Sequence, residues 1–221
     1  MVQSLKQTIS QDPKKILGAN SEDAKMALSY LSVSFISLLL GGILGLLQGL
    51  ERAGVLQLPS WLTYYQVLTA HGLLLLLVFT ATFTIGYQFA NLSHSFNGLL
   101  PRVRKLAWVG FVLMIIGVAL VVTMIVLNEA SVLYTFYPPL AAHPIFYIGL
   151  VFVVLGIWAC CFGVFINYRD WRKKHPGQVT PLLAFFAMGV FVLWFFACIG
   201  VTIEVLTLIP WSMGLVETTN V

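Results

Sequence analysis

The residue of this sequence best suited to chemistry is His71, which stands in the stretch YYQVLTAHG (Tyr64–Gly72). It comes shortly before an unbroken apolar run, LLLLLVF (Leu73–Phe79). Imidazole is costly to bury in hydrocarbon, and an ionisable side chain inside a membrane span is a functional candidate by default. The first question about this chain is therefore what His71 binds.

Three kinds of partner suit such a histidine. A neutral imidazole in apolar surroundings is a good axial ligand for haem iron, and Gly72 beside it would let a flat macrocycle come close. A hydrogen bond to a neighbouring helix is the alternative without a cofactor. Copper or zinc is less favoured, since these ions need three or four ligands. For haem, an apolar wall is expected from Leu68, Leu74 and Leu75, which share a helix face with His71.

The remaining candidates favour structural roles. His94 and His175 lie among polar and basic residues between apolar runs, and His143 stands just before Pro144. Solvated or interfacial imidazoles are the expected state of all three. The cysteines are Cys160, Cys161 and Cys198, all in apolar runs and without CxxC spacing, so we expect small buried side chains rather than a disulfide or zinc site.

Composition identifies the elements that must hold His71. The chain has 221 residues, of which 59% are hydrophobic and 9% charged, and its mean hydropathy is +0.93. Such a chain is an integral membrane protein, and its long apolar runs predict helices rather than a barrel. We predict an all-α fold of five transmembrane helices, near residues 26–50, 62–91, 106–127, 144–168 and 182–208. His71 then lies roughly 13 Å along the second span, at 1.5 Å per residue, inside the hydrocarbon.

Basic residues predict the orientation. Eleven of the 12 Lys and Arg residues fall in the N-terminal tail or in the second and fourth connections, and only Arg52 falls on the other side. The positive-inside rule then places the N-terminus in the cytoplasm and the C-terminus outside. These charges read as topology signals, so no nucleic-acid partner is expected. Residues 1–25 are predicted to be a cytoplasmic tail and residues 26–221 a single transmembrane domain in the lipid bilayer.

The first span contains small residues at every fourth position: Ser37, Gly41, Gly45 and Gly49. They share one helix face, which lets a neighbouring helix approach closely. The connection after the third span reads NEASVLYTFYPPLAAHP, in which Pro138 and Pro139 prevent helix continuation. Its aromatic residues predict either an interfacial turn or a rigid segment that packs over the edge of a cofactor.

These motifs together resemble subunit I of the haem–copper oxygen reductases. YYQVLTAHG in the second span and NEASVLYTFYPPL after the third carry the resemblance. YTFYPPL, HPGQVTPL (His175–Leu182) and PWSMGLVE (Pro210–Glu217) are closest to the B family, the ba-type cytochrome c oxidases. The resemblance runs from the first span to Glu217.

The resemblance implies a cofactor and roles for four residues. His71 is expected to be an axial ligand of the low-spin haem, haem b in this branch, with Gly72 beside its ring. Tyr134 is expected to line the region near the high-spin haem, and His143 to contact a haem propionate. The activity implied is that of a terminal oxidase, which reduces dioxygen to water in aerobic respiration and translocates protons in the plasma membrane of a prokaryote.

The resemblance also implies what must come from elsewhere. The family's subunit has about a dozen spans, and the copper ligands, the high-spin haem ligand and the second low-spin haem ligand belong to later ones. This chain is therefore expected to be the N-terminal part of a longer subunit or one half of a split subunit. The expected partners are those remaining spans, a subunit II with a copper centre, and an outer-face electron donor such as cytochrome c.

Two other functions stay open at this level. One is a non-catalytic membrane protein of the same ancestry that serves assembly or haem scaffolding. The other is a small-solute transporter with His71 as its substrate or proton site. The transporter is disfavoured because the sequence has no inverted repeat, half-helix break or intramembrane acid pair.

Overall fold

The computed structural model describes residues 17–130 and 142–217 of the chain. Within these ranges it contains five helices long and apolar enough to cross a membrane, and its only β pairing is an isolated bridge between Ala130 and Ala142. The spans, in chain order, are Ser21–Arg52, Tyr64–Ser95, Pro101–Val126, Pro144–Lys174 and Leu182–Ser212. The prediction of an all-α protein with five spans is confirmed.

The helices extend beyond their apolar runs because polar and proline residues define their ends. Asn20 caps the first span, and its side chain accepts a hydrogen bond from the Asp23 amide at 3.0 Å. Pro101 and Pro144 occupy the first turns of the third and fourth spans, where the missing amide proton costs nothing. The fourth span runs to Lys174, so its last turn carries basic side chains, which favour a helix C-terminus.

The second span is not one regular helix. Residues Tyr64–Gly72 are α-helical, Leu73–Phe79 form a π-helix, and Thr80–Ser95 are α-helical again. The hydroxyl of Thr80 donates to the carbonyl of Leu75, five residues earlier, at 3.0 Å. A run of leucines gives no sign of this change in hydrogen bonding, and it was not predicted.

Glycines bring the third and fourth spans into the most extensive contact of the bundle. A Cβ atom at Gly156 would lie 2.6 Å from the carbonyl oxygen of Gly110, and one at Gly117 would lie 2.5 Å from that of Gly149. The backbones of the third and fourth spans are therefore in direct contact at two positions along the helices. Small residues at helix interfaces have this effect in membranes, where dispersion contacts replace the hydrophobic drive.

A buried carboxylate joins the N-terminal side of the bundle. Asp23 is 1% exposed, and its Oδ2 accepts hydrogen bonds from Ser93 Oγ at 2.6 Å, the Leu99 amide at 2.9 Å and Asn20 Nδ2 at 3.0 Å. Its Oδ1 lies 3.3 Å from Arg104 Nη1. The starts of the first and third spans and the end of the second therefore meet at one point.

The fourth span joins the same end, since Asn167 Oδ1 accepts a hydrogen bond from the Leu100 amide at 3.1 Å. We call this side of the bundle the basic end, because the Lys and Arg residues of the third span's start and the fourth span's end lie there. Lys6, Lys14 and Lys15, which were predicted to share this side, lie outside the described residues. Which side of a membrane the basic end faces stays a prediction.

Replacing Gly156 by Ala should destabilise the bundle by about 1–3 kcal/mol, because the new methyl group would press on the Gly110 carbonyl and on Met114. Thermal unfolding in detergent, followed by circular dichroism, measures the change. Gly189→Ala is the matched control, since no atom lies within 4 Å of a Cβ there, and helix propensity should make it neutral or stabilising. Equal effects of the two substitutions would contradict the backbone contact.

Removing the carboxylate of Asp23 should cost about 3–5 kcal/mol, because Arg104 would keep a partly buried charge and three donors would lose their acceptor. Glu22→Ala, at the exposed neighbouring position, should change stability little. Chemical unfolding of the Asp23→Ala and Glu22→Ala proteins in the same detergent compares them. A small loss in Asp23→Ala would show that the polar cluster does not hold the basic end together.

Candidate functional site

The candidate site is built on the first helical part of the second span, whose position is fixed by polar contacts near its start. Thr63 and Gln66 form a capping box at its N-terminus. The buried Gln66 amide also donates to the carbonyls of Ile125 and Val126, each at 3.1 Å. This clamps the second span to the C-terminal end of the third, so the helix that carries His71 cannot easily rotate.

His71 is partly buried and faces the first span. Its Nδ1 lies 2.7 Å from the carbonyl oxygen of Gly41. A carbonyl only accepts, so Nδ1 carries the proton and donates it. In the neutral ring the lone pair is then on Nε2, for which the described part of the chain provides no hydrogen-bond partner.

Gly45 provides the space for the imidazole ring. A Cβ atom at this position would lie 2.5 Å from Cε1 and 2.7 Å from Nδ1 of His71, closer than atoms can pack. One turn further along the first span, a Cβ at Gly49 would meet nothing within 4 Å. Of the row of small residues, Gly41 and Gly45 therefore lie against the second span, and Gly45 serves the histidine specifically.

Two of the three leucines expected to form the apolar wall lie against the first span as well. A Cβ at Gly41 would be 2.7 Å from Leu75 Cδ2 and 3.3 Å from Leu74 Cβ. Leu74 also lines a cavity of about 520 Å³ between the first three spans, with Val33, Leu44 and Val118 among its apolar neighbours. Leu68 is partly buried, and its part in a wall stays a prediction.

Gly72 ends the α-helical part of the second span, with helical dihedrals of φ −60° and ψ −47°. The π-helix begins at the next residue. Such segments are rare and are found frequently at functional sites. The role of Gly72 in the close approach of a macrocycle stays a prediction.

The other histidines are placed at helix ends. His143 is exposed and caps the fourth span, where its Nδ1 accepts from the Ile145 amide at 3.3 Å; a propionate contact stays a prediction. His94 is exposed near the end of the second span. His175 ends the fourth span and stacks on Trp171 with ring centroids 4.9 Å apart. Tyr134, the residue expected near a second haem, lies outside the described residues.

Nothing in the described ranges assembles a multidentate metal site, since no three His, Cys, Asp or Glu side chains converge there. The three cysteines are free and buried. Cys160 lies 3.1 Å from the hydroxyl of Tyr30, which donates to the Ala107 carbonyl at 2.7 Å. This hydroxyl–thiol contact was not predicted, and it is a packing contact of the core.

The fold and the site define a multi-pass helical membrane protein in which the ring of His71 lies between two spans and donates from Nδ1 to a backbone carbonyl. Comparison with known proteins places it more closely. The family described as cytochrome c and quinol oxidase polypeptide I matches residues 25–220, and the chain belongs to this family.

Two relatives support the assignment. The chain is 36% identical over 203 residues to cytochrome c oxidase subunit 1 of Thermus thermophilus, a match that covers 88% of this chain and 36% of that protein. It is 32% identical to a chain in a cryo-EM structure of a heme-copper terminal oxidase dimer, with a TM-score of 0.82, covering 91% of this chain and 35% of that one. The chain thus spans about a third of the length of these relatives. Its placement in the B family stays a prediction.

Proposed function

We propose that this chain forms the N-terminal part of the catalytic subunit of a terminal oxidase, which reduces dioxygen to water and translocates protons. In this proposal His71 is one axial ligand of a low-spin haem b. Family membership and the relative named cytochrome c oxidase subunit 1 support the activity. The observation that carries the ligand role is the hydrogen bond from His71 Nδ1 to the Gly41 carbonyl.

That hydrogen bond suits a ligand in two ways. It fixes the tautomer, so Nε2 keeps the lone pair that iron requires, and it sets the orientation of the ring. Metal-binding histidines commonly donate their second ring nitrogen to a carbonyl or carboxylate, which also raises the basicity of the ligand. A carbonyl of a transmembrane helix is a rigid acceptor, since its position is set by the backbone.

When bound, a low-spin haem supplies a reversible one-electron carrier. The residues of this chain would hold its iron through His71, exclude water with the apolar wall and keep the ring orientation with Gly41 and Gly45. We place the second axial ligand, the high-spin haem and the copper in the remaining spans of the subunit or in a split partner chain.

The proposal extends to partners and location. A subunit II with a copper centre would complete the complex, and an outer-face donor such as cytochrome c would supply electrons. The name of the matched family includes quinol oxidases, so a quinol is the other class of donor. The five apolar helices make the protein a multi-pass membrane protein, and we assign it to the plasma membrane of a prokaryote with its basic end in the cytoplasm.

Replacing His71 by Ala should abolish the low-spin haem band in a reduced-minus-oxidised spectrum of the complete complex, because the iron loses an axial ligand. His143→Ala is the matched control, since His143 is exposed at a helix cap, and its spectrum should keep the band. An unchanged band in the His71→Ala complex would remove His71 from the ligand role. Loss of proton-dependent solute uptake in that variant, with the band intact, would favour a transporter.

A second substitution tests the ring support without touching the ligand. Gly45→Ala should displace the imidazole, because its methyl group would overlap Cε1 and Nδ1 of His71. Changes in the support of a metal ligand typically cost 10–100-fold in metal affinity or activity, so we expect a shifted low-spin haem band and a loss of electron transfer of about that size. Gly49→Ala, with open space around the new methyl group, should leave the haem band and electron transfer unchanged. Equal effects of Gly45→Ala and Gly49→Ala would show that Gly45 does not position the ring of His71.

A further inference from the structure

The basic end of the bundle contains a concentration of positive charge that the proposed redox function does not use. The start of the third span carries Arg102, Arg104 and Lys105, and the end of the fourth carries Arg169, Arg172, Lys173 and Lys174. Along these two helix ends the only acidic residue is Asp170. A topology signal requires positive charges on one side, but it does not require them to line a cavity.

Part of this charge surrounds a cavity of about 270 Å³ between the two helix ends. Its lining residues are Arg102 from the third span and Ile166, Arg169, Asp170 and Lys173 from the fourth. Three cations therefore face one carboxylate. The cavity has the size and polarity of a site for a small anionic group.

The single carboxylate offsets only part of this charge, because one of its oxygens pairs with Arg102 and the other with Lys174, which does not line the cavity. Asp170 Oδ1 lies 3.5 Å from Arg102 Nη2, and Oδ2 lies 2.8 Å from Lys174 Nζ. The described residues contain one further ion pair, between Arg104 and Asp23. Neither Arg169 nor Lys173 forms a direct ion pair in the described ranges, although Asp170 is close enough to Lys173 to interact with its charge.

An apolar surface continues from the cavity toward the middle of the bundle. Ile166 lies one helical turn from Asp170 and also one turn from Phe162, which is 50% exposed; Leu155, two turns further along that face, is 43% exposed. On the neighbouring third span, Leu106 Cβ lies 3.6 Å from the position of a Cβ at Gly163. The face of the fourth span that lines the cavity thus continues as a row of exposed apolar side chains, which we call the apolar track.

We propose that this cavity and track bind one anionic phospholipid, with its phosphate between Arg102, Arg169 and Lys173 and an acyl chain along Ile166, Phe162 and Leu155. Basic pockets between transmembrane helices bind anionic lipid headgroups in this way. A free phosphate could occupy the cationic cavity alone. The apolar track favours the lipid, because only a lipid fills both parts and because it is present at high concentration beside the helices.

The test uses the complete complex that contains this chain, purified from its own membrane, stripped of lipid in detergent and examined by native mass spectrometry. Titration with phosphatidylglycerol should give one retained lipid, and phosphatidylcholine with the same acyl chains should bind far less well. In the Arg169→Gln/Lys173→Gln variant, phosphatidylglycerol binding should weaken by about 30-fold, the loss expected from two cations near an anionic headgroup. The charge-conserving Arg169→Lys/Lys173→Arg variant should retain binding.

Lys25→Gln/Lys105→Gln is the matched control, since it removes two exposed lysines of the same end that do not line the cavity. It should bind the lipid as well as the unaltered complex. An equal loss in this control would show diffuse attraction to a basic surface and overturn the site. Equal binding of phosphatidylcholine, displacement of the lipid by millimolar inorganic phosphate, or absence of any retained lipid because another subunit covers the cavity would each overturn it as well.

Discussion

The structure depends on one close approach, where the first span meets the second at Gly41 and Gly45. An imidazole within hydrocarbon needs a partner for its N–H, and the Gly41 carbonyl provides it at 2.7 Å. The carbonyl can reach the ring only because neither glycine has a side chain, so that the backbone of one helix meets the side chains of the other. Gln66 then fixes the second span against the third through the Ile125 and Val126 carbonyls. The position of His71 is therefore set by a backbone carbonyl of the first span and, through the Gln66 side chain, by two backbone carbonyls of the third.

Glycines also allow the third and fourth spans to pack closely, where they make room for backbone and not for a histidine ring. Between the third and fourth spans, Gly110 faces Gly156 and Gly117 faces Gly149. These contacts bring two helix axes together and leave the basic ends of both helices side by side. Asp23 joins that same end to the first and second spans by hydrogen bonds from Ser93 and Leu99. The two ends of the bundle are thus held differently, one by a buried carboxylate and the other by glutamine and carbonyl contacts.

The five spans and the candidate ligand were predictable because hydropathy and charge act over whole helices. Long apolar runs between short polar connections predicted all five spans, and the isolation of His71 in one of them identified the candidate ligand. What could not be predicted depends on atoms from distant parts of the chain. Nothing in the sequence distinguishes Gly45, which makes room for the ring, from Gly49, which faces open space. Asp23 falls in the predicted cytoplasmic tail, and only the folded bundle brings Ser93, Leu99 and Arg104 to it. The role of Gly72 and the contact of His143 stay predictions.

The π-helix at Leu73–Phe79 has a consequence for which side chains share one face of the second span. In a regular α-helix the side chains follow one repeat of 3.6 residues along the whole length, so the direction of one side chain fixes the directions of all the others. Hydrogen bonds from residue i to i+5 break that register, and here the break lies between His71 and the half of the span that packs at Asp23. The residues that share a face with His71 before the π-helix are therefore not those that a regular 3.6-residue repeat would place on that face after it. The side chains that meet at His71 and those that meet at Asp23 thus belong to two α-helical parts with different registers.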